Sequence, residues 1–214
     1  MHSALQLLED FLSDRGALGL PARPRMIFVV RGSATIGTAT IGKGEAWQGE
    51  GAVTVQAGPT GVTLWRWELS FNGEAAPAAN GKGVVSREKL VARLDTMPEG
   101  ELLWRGDSVA FPAGGVAYLH RHQGPGIRCV IEGKLRVDTN GHAHSYGIGE
   151  AWFESGPEPV FAQAGGSPTR FIRVMILPRA LIGKSSIQYV NEDDKTKPKL
   201  QQYRVLVDTP LTRP

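Results

Sequence analysis

The chain has 214 residues, 41% of them hydrophobic, and its 24 basic and 21 acidic side chains leave a net charge of only +3. With so small a charge, scattered basic residues and no aromatic–basic stripe, nucleic acid is not the expected partner. No apolar run is long enough to span a bilayer and no secretory leader pattern opens the chain, so a cytoplasmic protein without a membrane partner is expected; the single Cys129 allows no intrachain disulfide and suits a reducing compartment.

Residues 3–14 read as a helix, with Ser3 as N-cap, Leu5, Leu8, Phe11 and Leu12 at helical spacing and Gly16 as the stop. Residues 25–72 alternate or run apolar between glycine-rich turns and read as strands. Residues 73–83 are small and polar, a surface linker, and Ser86 to Leu94 reads as a short capped helix. A second strand-rich stretch covers 102–178, with a turn over residues 138–142, and the tail carries one more strand-like run from Tyr203 to Val207. The 27 glycines and 14 prolines suit an all-β protein. The N-terminal helix and the tail strand are the elements available for exchange between subunits, so a homodimer is expected.

The chain repeats itself. Met26–Gly32 parallels Ile127–Gly133 at an offset of 101, Gly44–Trp47 recurs at Gly149–Trp152 with 105, and Val53–Gly58 recurs at Val160–Gly165 with 107. The offset grows as hairpin loops would lengthen it. A single long period means two related domains, placed at 1–95 and 96–214.

Ligand-like spacing occurs at His120-Arg121-His122, where strand alternation puts both imidazoles on one face. Gly115, His120, His122 and Gly133 fall where the first motif of the cupin superfamily has its G, H-x-H and G, and Gly149 to Val160 resembles the second motif. The chain departs from those motifs at Gly126, where the acidic ligand falls, and at Val160, where a further His falls. The resemblance covers most of residues 25–178. It implies two tandem jelly-roll barrels behind a short N-terminal helix, with a partial metal motif in the second.

The first domain lacks a ligand motif, since the offset of 101 sets Gly19 and Pro21 opposite the two histidines. His120 and His122 are therefore the expected ligands of one divalent metal (Fe, Mn, Ni or Zn). A carboxylate would complete the set, and Glu154 is better placed for it than Glu132; it is also the candidate general base. Arg128 shares the inward face. It either clamps an anionic substrate beside the metal or pairs with Glu154 in a barrel that has lost its metal. Tyr118, two residues before His120, is expected on the same face at the cavity mouth. Trp47 and Trp152 are expected in cores, Arg66 and Arg173 in structural ion pairs, and His2, His142 and His144 in solvent. Two functions follow. One is a metal-dependent enzyme, a dioxygenase by resemblance, acting on a small anionic molecule. The other is a bicupin that binds small molecules or serves structurally without catalysis.

Overall fold

The computed structural model describes residues 2–213 and divides into two compact units between Asp95 and Thr96. The first unit comprises β1 (Ser3–Leu12), β2 (Ala17–Leu20), β3 (Arg25–Ile36), β4 (Ala39–Gly42), β5 (Ala46–Gly49), β6 (Val53–Ser70), β7 (Asn80–Gly81) and β8 (Val84–Leu94). They form one eight-stranded sheet ordered β4-β3-β6-β1-β8-β7, with β2 on β6 and β5 on β3. Its core gathers Leu12, Ile27, Val55, Leu64 and their neighbours.

The second unit comprises β9 (Leu102–Phe111), β10 (Val116–His122), β11 (Gly126–Glu132), β12 (Leu135–Thr139), β13 (His142–Tyr146), β14 (Ala151–Glu154), β15 (Val160–Ala164), β16 (Thr169–Pro178), β17 (Ile187–Tyr189), the one-turn helix α1 (Glu192–Thr196) and β18 (Gln202–Leu211). Two five-stranded antiparallel sheets, β13-β12-β15-β10-β17 and β14-β11-β16-β9-β18, enclose a core around Val109, Phe111, Val130, Leu135 and Trp152. The jelly-roll prediction therefore holds.

Two expected helices are strands. Residues 3–12 form β1, which lies between β6 and β8. A central strand buries both faces, and Leu5, Leu7, Leu8, Gln6 and Asp10 are all buried, so its apolar residues mimic helical spacing. Both edges of β1 are paired within the chain. The expected helix at Ser86–Leu94 is part of β8, where a bulge opposite Leu7 and Leu8 interrupts the two-residue alternation. The helix that does occur, α1, lies near the C-terminus. The expected linker 73–83 is pinned rather than free: Gln6 Nε2 donates to the Ala76 carbonyl and Ala76 N–H donates to Gln6 Oε1, at 3.1 and 2.7 Å.

Strand pairing repeats between the units. Ile27 lies opposite both Trp47 and Arg66; Arg128 lies opposite both Trp152 and Arg173. Gly32, within β3, and Gly133, just past β11, occupy matching positions at φ of 80° and 73°, and a Cβ at either would sit 2.2 and 2.4 Å from a carbonyl oxygen across the sheet. Only glycine meets both conditions. The turn expected at 138–142 is the two-residue loop Asn140–Gly141, both with positive φ, as a type I′ hairpin requires.

Candidate metal centre and its surroundings

His120 and His122 come from β10, at the point where that strand leaves β15 and pairs with β17. Both are buried. His120 Nδ1 is 2.7 Å from the Tyr118 carbonyl and therefore donates to it, which leaves the Nε2 lone pair facing inward. His122 Nε2 is 3.2 Å from His120 Nε2, and its own Nδ1 lies 3.5 Å from the Ser186 hydroxyl. Burial pushes the His120 pKa down, only partly offset by the Glu154 charge. Burial, with the Arg173 and Arg128 charges added, drives His122 well below the usual imidazole range. Both rings are neutral near neutrality, the state that ligates metal.

Glu154 reaches the same space from the end of β14. Its Oε1 accepts from Trp152 Nε1 at 2.8 Å, and its Oε2 lies 3.6 Å from His122 Nε2 and 2.7 Å from Arg128 Nη2. That last contact is an ion pair without hydrogen-bond alignment: the Arg128 Nη2 and Glu154 Oε2 atoms are buried and lack a hydrogen-bond partner. Arg128 Nη1 donates to the Gly126 carbonyl at 2.6 Å. Burial lowers the Arg128 pKa to about 10 despite Glu154, so the guanidinium stays charged. Deeper in the strand pairing, Arg173 grips Asp107 through two hydrogen bonds of 2.6 and 3.0 Å. Burial pulls the Arg173 pKa down, and the Asp107 charge outweighs it, so the net shift is upward.

The missing acidic residue has a steric reason. A Cβ on Gly126 would lie 2.3 Å from the Val174 carbonyl oxygen and 3.1 Å from Arg128 Nη1. Gly126 pairs directly with Glu154 across β11 and β14, which brings a carboxylate next to this position from the neighbouring strand. Val160, opposite His120, adds only an apolar wall. The enclosed space left among the two histidines, Arg128, Glu154, Trp152 and Arg173 is about 20 Å³, room for one water or one ion.

Four of the five site residues expected from the sequence thus meet: His120, His122, Arg128 and Glu154. Tyr118 does not join them. A bulge between Ala117 and His120 shifts the β10 register, so Tyr118 and His120 no longer share a face. The Tyr118 ring instead lies under the Lys197 and Lys199 ammonium groups, at 5.0 and 5.5 Å. The same bulge corrects the mapping onto the first unit: Leu20 pairs with Val53 as His120 pairs with Val160, so Leu20, not Gly19, stands at the His120 position. Ser186 was not anticipated from the sequence, since nothing periodic marks it.

No family model matches the sequence and no curated protein matches it. Solved structures do match in fold. Oxalate decarboxylase from Lactobacillus farciminis, a formate complex, superposes with a TM-score of 0.64 at 14% identity, over 90% of this chain and 82% of that one. Salicylate 1,2-dioxygenase from Pseudaminobacter salicylatoxidans gives 0.55 at 12% identity, over 80% and 70%. A cupin 2 conserved barrel domain protein from Leptotrichia buccalis gives 0.50 at 13% identity, over 82% and 84%. The chain has the cupin fold. No helix is long and apolar enough to cross a membrane among the described residues.

Proposed function

We propose that the chain is a bicupin whose second unit binds one divalent metal ion through His120 Nε2, His122 Nε2 and Glu154 Oε2. In this reading the first unit is a scaffold, and the second unit also binds a small anionic organic molecule. The observation that carries it is the convergence of two buried, neutral imidazoles at 3.2 Å, with His120 held in the ligating tautomer by the Tyr118 carbonyl. Two donors on one ion with bonds of about 2.1 Å stand roughly 3.0–3.4 Å apart. Among the described residues no group of three or more His, Cys, Asp or Glu side chains already stands arranged to hold a metal. The third donor is at hand as Glu154 Oε2, an unbonded buried oxygen 3.6 Å from His122 Nε2. Taking the ion places the His122 proton on Nδ1, facing Ser186 Oγ.

Two histidines and one carboxylate suit iron, manganese or nickel, and such an ion, when bound, offers open positions to a substrate and to dioxygen. The role of Arg128 is electrostatic. A dication beside this guanidinium in a closed space is costly unless an anion joins them, which favours a carboxylate as ligand. Two structural neighbours are named for oxalate and salicylate, both carboxylates, and this supports the substrate class and a dioxygenase-type reaction. The 2.7 Å Arg128–Glu154 ion pair and the 20 Å³ interior favour a second reading, a barrel that binds small molecules without metal chemistry.

Elemental analysis of protein purified without chelator or nickel resin separates the two. About one ion per chain, lost in the His120→Ala/His122→Ala double variant, supports the metal reading. No ion after incubation with Fe(II), Mn(II), Ni(II) or Zn(II), or two ions per chain, removes it.

A further inference from the structure

The 20 Å³ interior cannot hold an organic molecule, so an organic carboxylate needs a second compartment. Two cavities of the second unit border the interior. One, of about 230 Å³, meets it at Glu154 and Val160 and adds Ser155 and Glu158 to its walls. The other, of about 250 Å³, meets it at Arg173, Ile187 and Tyr203 and lies between residues 183–187 and strand β18. They differ in charge. The first carries two carboxylates and no cation. The second carries Arg105, Arg173 and Lys184 against Asp107 and Asp208, one positive charge in excess.

That excess resides on Lys184. Arg173 is tied to Asp107, and Arg105 is tied to Asp208 with bonds of 2.9 and 3.1 Å. Arg105 also donates to the Leu181 and Lys184 carbonyls, both at 2.6 Å, and Gly183 N–H donates to Asp208 at 2.8 Å. The 181–184 segment is therefore fixed before any ligand arrives, through its backbone, and Lys184, an exposed residue of the cavity lining, makes no ion pair among the described residues. Ile187, Tyr203 and Val205 supply an apolar wall, with Val205 more than half exposed. One cationic group, an apolar wall and a fixed loop define a site for a carboxylate with a hydrophobic body.

We propose that this 250 Å³ cavity is the docking site for the organic carboxylate, with its charged end on Lys184 and its body against Ile187, Tyr203 and Val205. The choice of a carboxylate rests on the function proposed above; the site itself needs no metal. Tyr203 is the specificity-determining wall. Its ring lies 5.5 Å from the Arg173 guanidinium carbon, and it borders both the cavity and the interior. Ile187 pairs with His122 on the short edge strand β17, and Tyr203 lies on edge strand β18. Edge elements open at lower cost than the doubly held Glu154 on the opposite side.

The test is calorimetric titration of the full chain with benzoate, benzyl alcohol and benzylamine, in chelator-treated and Mn(II)-loaded protein. The expected result is saturable benzoate binding in both forms, weaker binding of the alcohol and none of the amine. Lys184→Ala should weaken benzoate roughly three- to fivefold, the scale of one ion pair open to water, with the melting temperature unchanged because only Lys184 backbone atoms hold the loop. Tyr203→Ala should shift preference toward bulkier carboxylates such as naphthoate. Loss of metal binding with benzoate binding intact would sink the metal reading alone. No saturable binding, benzylamine as the preferred ligand, or benzoate binding that needs Mn(II) and ignores Lys184→Ala would overturn the docking site.

Discussion

Each unit buries an Arg–Asp ion pair between matching strands, and the two differ in how the pair is set and in what surrounds it. Arg66 holds Asp10 at 2.6 and 3.1 Å in the first unit, and Arg173 holds Asp107 at 2.6 and 3.0 Å in the second. Arg66 and Arg173 occupy equivalent positions but their partners do not: Arg173 lies directly opposite Asp107, whereas Arg66 lies opposite Leu8, with Asp10 two residues farther along β1. Around the pair the first unit closes its charges on each other. Glu68 accepts from Arg25 Nε at 2.9 Å and from Arg66 Nη1 at 2.7 Å, and Ser86 donates to Asp10 at 2.5 Å. In the second unit the matching positions hold Gly126 for Arg25, Met175 for Glu68 and Tyr203 for Ser86. The network is thereby stripped, and two histidines, Glu154 and Arg128 stand where the first unit has Leu20, Ala22, Gly49 and Ile27. Each unit keeps buried polar atoms without a hydrogen-bond partner, Trp67 Nε1 and Glu68 Oε2 in the first, Arg128 Nη2 and Glu154 Oε2 in the second. What distinguishes the second is that these atoms stand beside two buried imidazoles, with Glu154 Oε2 3.6 Å from His122 Nε2.

The largest expected effect tests the two buried Arg–Asp pairs. Asp10→Ala or Asp107→Ala leaves a buried guanidinium without its partner, and each should cost about 3–5 kcal/mol in denaturant unfolding. A large loss in one unit and none in the other would mean that the pair does not play the same role in both.

Metal should act on the second unit only. Added ion at a hundred times its dissociation constant should stabilise the fold by about 2.7 kcal/mol, read as a rise in melting temperature that the His120→Ala/His122→Ala variant lacks. Arg128→Leu should tighten the metal, since it removes a positive charge and frees Glu154 Oε2. In metal-free protein the same variant should be less stable, because Glu154 loses its counter-charge, and Arg128→Leu/Glu154→Leu should recover most of that loss. Weaker metal binding in Arg128→Leu would show that the guanidinium supports the site instead of competing for its carboxylate.

The pH dependence follows from the two histidines. Their folded-state pKa values lie below the unfolded value of about 6.5. Below that pH the unfolded chain takes up protons that the folded chain refuses. Chelator-treated protein should therefore lose stability as the pH falls from about 6.5 toward the folded values, and gain nothing from these groups above it. The double histidine variant should show a flatter acid limb, and an identical limb would remove the buried neutral pair as its cause.

Much of this contrast was legible in the sequence. The offsets of 101, 105 and 107 located equivalent strands, and Gly32 and Gly133 revealed themselves by type alone. The H-x-H pair and Glu154 were found by motif, and Trp152 by its repetition. What failed had local physical causes. β1 is buried on both faces and so carried a helical pattern, and one bulge each in β8 and β10 broke the alternation that would have placed residues 86–94 and Tyr118. The Arg25–Glu68 network and the Lys184–Tyr203 cavity depend on cross-strand register and on a loop far along the chain, and no spacing within a segment encodes either.

The smallest effect concerns the repeated tryptophans. Trp47 and Trp152 occupy matching positions, opposite Ile27 and Arg128, so a purely packing role would give equal responses to substitution by phenylalanine. They differ in what the indole N–H meets. Trp152 Nε1 donates to Glu154 Oε1 at 2.8 Å, and Glu154 is charged and buried, whereas the residue matching Glu154 in the first unit is Gly49, which has no side-chain acceptor. Trp152→Phe should therefore cost about 1.5–3 kcal/mol for the lost bond to a charged group, beyond the packing change that Trp47→Phe shares. It should also loosen Glu154 and change metal affinity, a response that Trp47→Phe cannot produce. Equal stability losses with unchanged metal binding in both variants would reduce Trp152 to a core residue and leave Glu154 held by Arg128 alone.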